Sequence, residues 1–280
     1  MRVTVLGSGT SSGVPIPGCY CSVCTSPDPR NNRLRTSVLL EIQGSDVGRA
    51  PQGSENEEIV AHLLIDTSTD LRAQALRAKI KSIDAVLYTH IHADHIYGID
   101  DLRSFNFINR KTIPVYASNE SAQQIEQLFR YAFHADPDYR TSAPQLTLHR
   151  LEPYVPLQLF GVEILPLPVM HGMMEVYGFR VGNFCYITDC SFIPDRTKAC
   201  MKNLKVLILD GLRSRPHPTH FTHAQAVNEI EQLKPELAYL THISHEIDHE
   251  ATNRELKQMT KRSVELAYDG LTLQVEATPS

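Results

Sequence analysis

The chain has 280 residues, of which 42% are hydrophobic and 21% are charged, and its formal net charge is −5. This balance is that of an ordinary globular protein with a sizeable core, and the length suits one large domain or two small ones. The negative charge argues against a broad basic surface for long nucleic acids, although it is compatible with a local patch for a small phosphorylated molecule.

The N-terminal sequence bears on the expected cellular location of the protein. The sequence leads from Met1 directly into a short apolar strand without a signal-peptide pattern, and no apolar run reaches membrane-spanning length. We therefore expect a cytoplasmic protein that does not contact membranes.

The first half of the chain alternates strand patterns with helical ones. Apolar runs predict strands at 2–6, 36–42, 59–65, 85–88 and 114–117, and helical spacing predicts helices at 67–80 and 119–132. The glycine-rich turn at 7–13 lacks the lysine of a phosphate-binding P-loop, so we interpret it as a tight turn. The polar insertion 44–58 is interpreted as a hairpin tip, and the proline-bearing stretch 135–144 as part of a lid.

In the second half the pattern changes to successive strands of an antiparallel sheet, predicted at 146–151, 162–167, 177–181 and 184–188. Thr222 and Gln225 form a capping box that opens a helix. Further strands are predicted at 206–209, 237–240, 264–267 and 271–275. The second half thus repeats the architecture of the first, and no linker rich in glycine, proline or serine separates them. We expect a single α/β (α+β) domain over residues 1–280.

The most informative stretch follows the strand at 85–88 and contains His90, His92, Asp94 and His95. Neutral imidazoles bind zinc, manganese and iron, and the carboxylate adds an anionic oxygen. Alternation along the loop directs His90 and His92 to one side, while Asp94 and His95 begin the next turn and face a second point. This pattern predicts two metal ions rather than one.

A site for two metals needs further ligands, which we expect at the ends of other strands. Three residues of suitable chemistry come directly after apolar runs: His171, Asp189 and His242. Taken singly, each of them could equally be a residue that forms a turn at the end of a strand. Together with the histidine loop they indicate one converging set of ligands.

This arrangement strongly resembles the metallo-β-lactamase superfamily of binuclear metallohydrolases, over nearly the whole chain and in the expected order. The resemblance implies a four-layer αββα sandwich in which Asp189 bridges two metals, a feature of the phosphodiesterase-like branches. Asp66 matches an early aspartate of the superfamily and would orient a ligand histidine. The implied ligands are His90, His92 and His171 for the first metal and Asp94, His95 and His242 for the second.

The six cysteines are unevenly distributed. Cys185, Cys190 and Cys200 lie apart in apolar or mixed surroundings, which favours buried thiols, whereas Cys19, Cys21 and Cys24 crowd one polar loop. A closed structural zinc site needs four ligands, and His245 would complete this one if the N-terminal loop folds beneath it. The combination is similar to the branch that contains phosphoribosyl 1,2-cyclic phosphate phosphodiesterase, an accessory hydrolase of phosphonate breakdown.

A phosphodiesterase also needs a general acid to protonate the leaving alkoxide. The resemblance favours His220, because Thr222 completes the family's pattern around its catalytic histidine; the other histidines near this loop are His217 and His223. Asp94 is expected to act in catalysis as well as in metal binding. Three arginines are candidates for binding a substrate phosphate, and the sequence does not rank them: Arg35, Arg103 and Arg213.

We therefore expect a binuclear hydrolase with two divalent metals (zinc, manganese or iron) and one structural zinc, acting on a cyclic or small phosphodiester. Its expected partner is a small phosphorylated substrate, without membrane or long nucleic acid, and a homodimer is allowed. Three alternatives stay open: an endoribonuclease of the tRNA 3′-processing type, a carboxylic ester, thioester or lactone hydrolase, and a non-catalytic metal-binding accessory protein of cofactor biosynthesis.

Overall fold

The structure is a computed structural model that describes residues 1–43, 60–134 and 142–276. Two seven-stranded sheets are formed within these residues. In spatial order, the first sheet contains β14 (Thr272–Gln274), β1 (Arg2–Gly7), β2 (Ser37–Gln43), β3 (Val60–Ile65), β4 (Ala85–Leu87), β5 (Ile113–Ser118) and β6 (Leu146–Leu151). The second sheet contains β13 (Ser263–Leu266), β12 (Leu237–Thr241), β11 (Val206–Asp210), β10 (Phe184–Ile187), β9 (Met174–Val181), β8 (Val162–His171) and β7 (Leu157–Leu159).

Helices cover the outer faces of the two sheets. They are α1 (Leu71–Ala78), α2 (Ala93–Ile96), α3 (Leu102–Asn109), α4 (Asn119–Leu128), α5 (Arg130–Phe133), α6 (Asp195–Ala199), α7 (His223–Leu233) and α8 (His249–Met259), with 3-10 turns at Pro29–Asn31 and Ile99–Asp101. The predicted capping box is confirmed at the start of α7, where Thr222 and Gln225 bond each other's backbone. Across the described ranges, no helix combines the length and the apolar character that a membrane crossing requires.

Alternation along the strands separates three hydrophobic cores. In β2, Val38 and Leu40 pack between the sheets, whereas Leu39 faces the helices of the first half. In β10, Tyr186 joins the same central core, whereas Ile187 faces the helices of the second half. Because both faces of each sheet are covered, the strand sequences are nearly continuous apolar runs. The layers are helix, sheet, sheet and helix, which confirms the predicted αββα sandwich.

One predicted strand belongs to a different sheet from the one expected. The strand at 146–151 is β6, which pairs in parallel with β5 at the edge of the first sheet and does not belong to the second sheet, where the antiparallel strands are β7 to β10. The prediction was wrong because alternation alone does not identify a strand's neighbour, and the connection through α4 gives β6 a parallel partner. The hairpin tip predicted at 44–58 lies outside the described residues, as do residues 135–141 of the predicted lid.

The strand directions bring several loops to one edge of the sandwich. Strand β3 is parallel to β4, and β10, β11 and β12 are parallel to one another. Strand β8 also runs with β10, since both are antiparallel to β9. The two sheets are joined at this edge by the Tyr177 N–H, which donates to the Thr89 carbonyl at 3.0 Å. Residues that follow these strands therefore gather at one place, although they are distant in sequence.

Asp84 directly precedes β4, at the end of that strand opposite to the histidine loop, and its carboxylate is largely buried. It accepts a 2.7 Å bond from the backbone N–H of His62 and a contact from the Lys111 ammonium. Burial opposes its ionisation, but the bonds from His62 and Lys111 outweigh burial and lower the pKa of Asp84 to about 2. Since this pKa is below that of an unfolded aspartate, the contribution of Asp84 to stability is present above about pH 4 and is lost as the pH falls towards 2.

We predict that Asp84→Asn lowers the free energy of unfolding by roughly 1–2 kcal/mol at pH 7, and that the difference from the parent protein shrinks between about pH 4 and pH 2. Denaturant unfolding followed at several pH values would measure it. Glu265→Gln, at an exposed position of β13, is the control. A difference that stays constant down to pH 2 would contradict the role given to the Asp84 charge.

Candidate metal centre

The first group of ligand-type atoms contains three imidazoles and one carboxylate. His90, His92, His171 and Asp189 each offer one atom, and these atoms all lie within 4.8 Å of one another. His90 Nε2 is 3.0 Å from His92 Nδ1, and it is 3.8 Å from Asp189 Oδ2. His171 Nε2 is 3.9 Å from the same oxygen. Residues from β4 and β8 are thus brought together around one side of Asp189.

The second group lies on the other side of the same aspartate. His95 Nε2 is 3.2 Å from Asp189 Oδ1 and 3.2 Å from Asp94 Oδ2. His242 Nε2 is 3.3 Å from Asp189 Oδ1 and 3.5 Å from Asp94 Oδ2. One oxygen of Asp189 therefore faces each group, which is the placement a bridging carboxylate requires. The individual ligand roles remain predictions.

Several buried atoms in these groups have no hydrogen-bond partner among the described residues. They are Asp94 Oδ2, His95 Nε2 and both ring nitrogens of His242. Buried polar atoms in proteins nearly always have partners, so a converging set of such atoms fits the coordination of a cation. Imidazole nitrogens and carboxylate oxygens are ligands of zinc, manganese and iron. The residues present therefore fit divalent metal ions.

Two acceptors orient the histidine rings. Asp66 Oδ2 lies 2.8 Å from His95 Nδ1, and Asp66 also accepts bonds of 2.8 Å from the backbone N–H and the hydroxyl of Thr89. His171 Nδ1 donates to the Thr219 carbonyl at 2.7 Å. Because these oxygens only accept, the proton belongs on Nδ1 and Nε2 is left facing the centre. The position of Asp66 is the one expected for a residue that orients a ligand histidine.

The charges around His95 favour a cation. Burial opposes a charge on Asp189, but the rings of His242 and His95 hold the pKa of its carboxyl well below the usual range. Burial lowers the pKa of the His90 imidazole well below its usual value, which keeps this ring neutral. His95 is surrounded by the carboxylates of Asp66, Asp94 and Asp189. Three carboxylates around one buried imidazole are stabilised by positive charge between them.

Three of the site residues have an unusual backbone conformation. Asp66, Asp189 and His242 have φ angles of 63°, 49° and 61°, in the left-handed region that non-glycine residues rarely adopt. Each of them directly follows the end of its strand, or lies within two residues of it. Such a conformation costs on the order of 1 kcal/mol per residue and is typical of functional sites. The sharp turn places each side chain at the strand end.

The cysteine loop forms a second candidate site. Nδ1 of His245 lies 3.4 Å from Cys19 Sγ, 3.6 Å from Cys21 Sγ and 3.7 Å from Cys24 Sγ. The backbone N–H of Cys24 and the ring of His245 lower the pKa of Cys21 to about 6, whereas burial raises the pKa of Cys24 to about 11. Three sulfurs and one imidazole nitrogen within 4.8 Å of one another match the donor set of a closed zinc site.

The other three cysteines are separate from this site. Cys185 and Cys190 are buried, as predicted, whereas Cys200 is only partly buried.

A buried arginine contacts the segment that carries both His242 and His245. The side chain of Arg33 is 1% exposed, and it donates to the Asn31 side chain at 2.9 Å and to the Ser244 carbonyl at 3.4 Å. Ser244 is two residues after His242 of the metal centre and directly precedes His245 of the cysteine site. One short segment, held by the bond from Arg33 to Ser244, therefore carries a residue of each candidate site.

The candidate acid His220 lies beside the metal centre. Its ring centroid is 4.6 Å from that of His242 and 4.7 Å from that of His171. Nδ1 of His220 is 3.3 Å from both oxygens of Asp210, the last residue of β11. Asp210 was missed from the sequence, although the rule that identified Asp189, a ligand-type residue at the end of an apolar strand, applies to it equally.

The two other histidines considered as acids lie differently. His223 is the buried first residue of α7, and burial lowers its pKa to about 4. The ring of His217 is 5.0 Å from that of His220, farther from the metal centre. Of the three, His220 has the shortest ring contacts to the candidate ligands.

Comparison with known proteins identifies the family. The model of the β-lactamase superfamily domain matches residues 61–243. A crystal structure described as a new diphosphatase from the PhnP family is 41% identical and has a TM-score of 0.84, over 100% of this chain and 99% of that chain. The chain belongs to the metallo-β-lactamase superfamily. The identity of 41% places it, within this superfamily, with the PhnP family. The resemblance inferred from the sequence is confirmed.

Two further proteins extend the comparison within the superfamily. The octanoyltransferase of Porphyromonas gingivalis is 37% identical over 272 residues, which are 97% of this chain and 51% of that protein. The chain thus spans about half the length of this curated relative. The crystal structure of Zn²⁺-bound PqqB from Methylobacterium extorquens is 19% identical with a TM-score of 0.74, over 98% of this chain and 100% of that chain, and shares the fold. The metallo-β-lactamase fold implies divalent metal ions, with which the Zn²⁺-bound PqqB structure agrees.

We predict that Cys21→Ser lowers the zinc content by about one ion per chain and reduces thermal stability, because one ligand of the candidate site is lost. Metal analysis and thermal unfolding of the purified protein would measure both. Cys200→Ser is the matched control and should change neither. An unchanged zinc content in Cys21→Ser would contradict a structural metal site at the cysteine loop.

Proposed function

We propose that this protein is a metal-dependent phosphodiesterase that hydrolyses a cyclic or small phosphodiester such as phosphoribosyl 1,2-cyclic phosphate. The single observation that carries the proposal is the position of Asp189, with one carboxylate oxygen towards each of two groups of ligand atoms and with His220 beside them. Two cations held in this way suit an in-line displacement at phosphorus. The similarity to a diphosphatase of the PhnP family supports chemistry at a phosphoryl group.

The donor groups suggest how two divalent ions, zinc, manganese or iron, would be held. When bound, such ions activate a water molecule and neutralise charge on the phosphoryl oxygens. Asp189 would bridge them, and the cysteine loop would hold one structural zinc. The proposed ligands are His90, His92 and His171 for the first ion, and Asp94, His95 and His242 for the second.

His220 is the proposed general acid. Asp210 accepts from its Nδ1, and the same carboxylate accepts from the Phe221 backbone N–H at 2.9 Å, which fixes the loop that carries the imidazole. With Nδ1 engaged, the proton on Nε2 is available to the leaving alkoxide. Asp210 acts through His220 and is therefore a positioning residue. We assign Asp94 a second role, in which its ionised carboxylate orients the attacking water.

One relative favours a second candidate, hydrolysis or transfer of an acyl group. The relative named octanoyltransferase is 37% identical, and a metal-activated water attacks a carbonyl carbon as well as phosphorus. We rank this candidate second, because that relative is about twice as long as the matched region, whereas the PhnP-family diphosphatase is matched over 99% of its length. A net charge of −5 argues against a long RNA as substrate.

We predict that His220→Ala lowers kcat on a cyclic alkyl phosphate by about 10²–10³-fold, because the alkoxide then leaves without a proton. On bis-p-nitrophenyl phosphate the loss should be below about tenfold, since p-nitrophenolate is a stable leaving group. Asp210→Asn should show the same dependence on the leaving group with a smaller loss. Steady-state kinetics on both substrates, with metal content measured in each variant, would test these expectations.

His134→Ala, which removes an exposed histidine paired with Glu126, is the control and should behave as the parent protein. A thioester should be a poor substrate by comparison. Preference for the thioester, together with no effect of His220→Ala, would overturn the assignment to phosphodiesters and favour acyl chemistry.

A further inference from the structure

The loop that carries the three clustered cysteines is closed at its base by Val14 and Arg33. These two residues form an antiparallel bridge, in which the Val14 N–H donates to the Arg33 carbonyl at 2.8 Å and the Arg33 N–H donates to the Val14 carbonyl at 2.7 Å. All three clustered cysteines lie between these two residues in the sequence. The backbone of Arg33 therefore fixes one end of the cysteine loop.

The Arg33 side chain lies between this loop and the segment that follows β12. Its Nη2 donates to the Asn31 side chain at 2.9 Å, and its Nη1 donates to the Ser244 carbonyl at 3.4 Å. Asn31 belongs to the cysteine loop and is itself buried, whereas Ser244 directly precedes His245. One guanidinium thus contacts both parts of the chain that supply ligands to the cysteine site.

The two residues between the candidate sites, Ile243 and Ser244, are buried and fixed by backbone hydrogen bonds. The Ile243 N–H donates to the Ser8 carbonyl at 2.9 Å, and the Ile243 carbonyl accepts from the Thr10 N–H at 3.1 Å. The Ser244 N–H donates to the Leu212 carbonyl at 3.0 Å. Because this connection is short and has little freedom of its own, a constraint on one of its ends also acts on the other.

The burial of the Arg33 guanidinium is costly. The side chain is 1% exposed, its Nε has no hydrogen-bond partner among the described residues, and burial lowers the pKa of Arg33 to about 10. The carboxylates of Asp269, Asp248 and Asp28 oppose this shift without cancelling it. An apolar side chain of similar length would avoid the cost of burying a charge. The arginine is therefore better explained by the segments it connects than by a gain in stability.

We propose that Arg33 is a positioning residue that couples the two sites, so that zinc in the cysteine site raises the affinity of the metal centre for its divalent ions. With this site empty, the three sulfurs touch His245 through weak thiol contacts of 3.4 to 3.7 Å. A shared zinc ion would replace these contacts with metal–ligand bonds and fix the loop. Through Arg33 the same constraint reaches Ser244 and His242. The freedom that His242 loses when it binds a metal is then already lost, which is positive coupling.

The test measures the binding of Mn²⁺ to metal-free protein, with and without one equivalent of Zn²⁺ added first. Sulfur ligands select Zn²⁺, whereas Mn²⁺ favours sites that contain carboxylates, so the two ions report on different sites. The electron paramagnetic resonance signal of free Mn²⁺ would give the Kd. In the parent protein, Zn²⁺ should lower the Kd for Mn²⁺ by about tenfold, and Mn²⁺ should lower the Kd for Zn²⁺ by the same factor, as linkage requires.

Three variants locate the coupling. In Arg33→Met the effect of Zn²⁺ on the Kd for Mn²⁺ should fall below about twofold, and Arg33→Lys, which keeps the charge without the paired donors, should lie between this variant and the parent protein. In Cys21→Ser the same Zn²⁺ should not lower the Kd for Mn²⁺. Arg30→Gln is the matched control, because Arg30 lies in the same loop but pairs with Asp28 and Glu250 at the surface, and it should keep the full effect.

An equal Kd for Mn²⁺ with and without Zn²⁺ in the parent protein would refute the coupling. If the parent protein shows the effect and both Arg33 variants retain it, the role given to Arg33 is wrong. Should Arg33→Met fail to fold, the comparison of Arg33→Lys with Arg30→Gln decides. These measurements use no substrate, so their outcome is independent of whether the protein hydrolyses a phosphodiester.

Discussion

The site depends on one buried carboxylate placed between two groups of imidazoles. Asp189 is 2% exposed, and each of its oxygens faces histidines from a different part of the chain. A carboxylate buried among uncharged groups would be costly, but here the surrounding rings keep it ionised. The surplus of acidic groups around His95 in turn creates a place where positive charge is favourable. Burial and charge thus act together to define a cation site.

The directions of the strands bring the residues of this site to one edge of the sandwich. The strands before Asp66, Asp189 and His242 are buried on both faces, so their backbone positions are set by packing between helices and the opposite sheet. Each then turns through a left-handed residue at the same edge. A rigid core with strained strand ends holds side chains more accurately than a flexible loop would. The same edge carries the turn that joins the metal centre to the cysteine site.

The loop between β11 and α7 places His220 beside the metal centre. His220, the proposed acid, is oriented by the Asp210 carboxylate, whose Oδ1 lies 3.3 Å from its Nδ1. One fold can host several reactions, and the loops at the edge of its sheets carry the residues that distinguish them.

The sequence by itself determined the ligand types, the order in which they occur and the layered fold, because the histidine loop is dense and local and the apolar runs are long. It placed β6 in the wrong sheet and missed Asp210, and only the tertiary structure decided the positions of both. Each of these depends on contacts between segments far apart in the chain. Periodicity reports which face of a strand is buried, whereas neighbours across a sheet or a loop are chosen by packing.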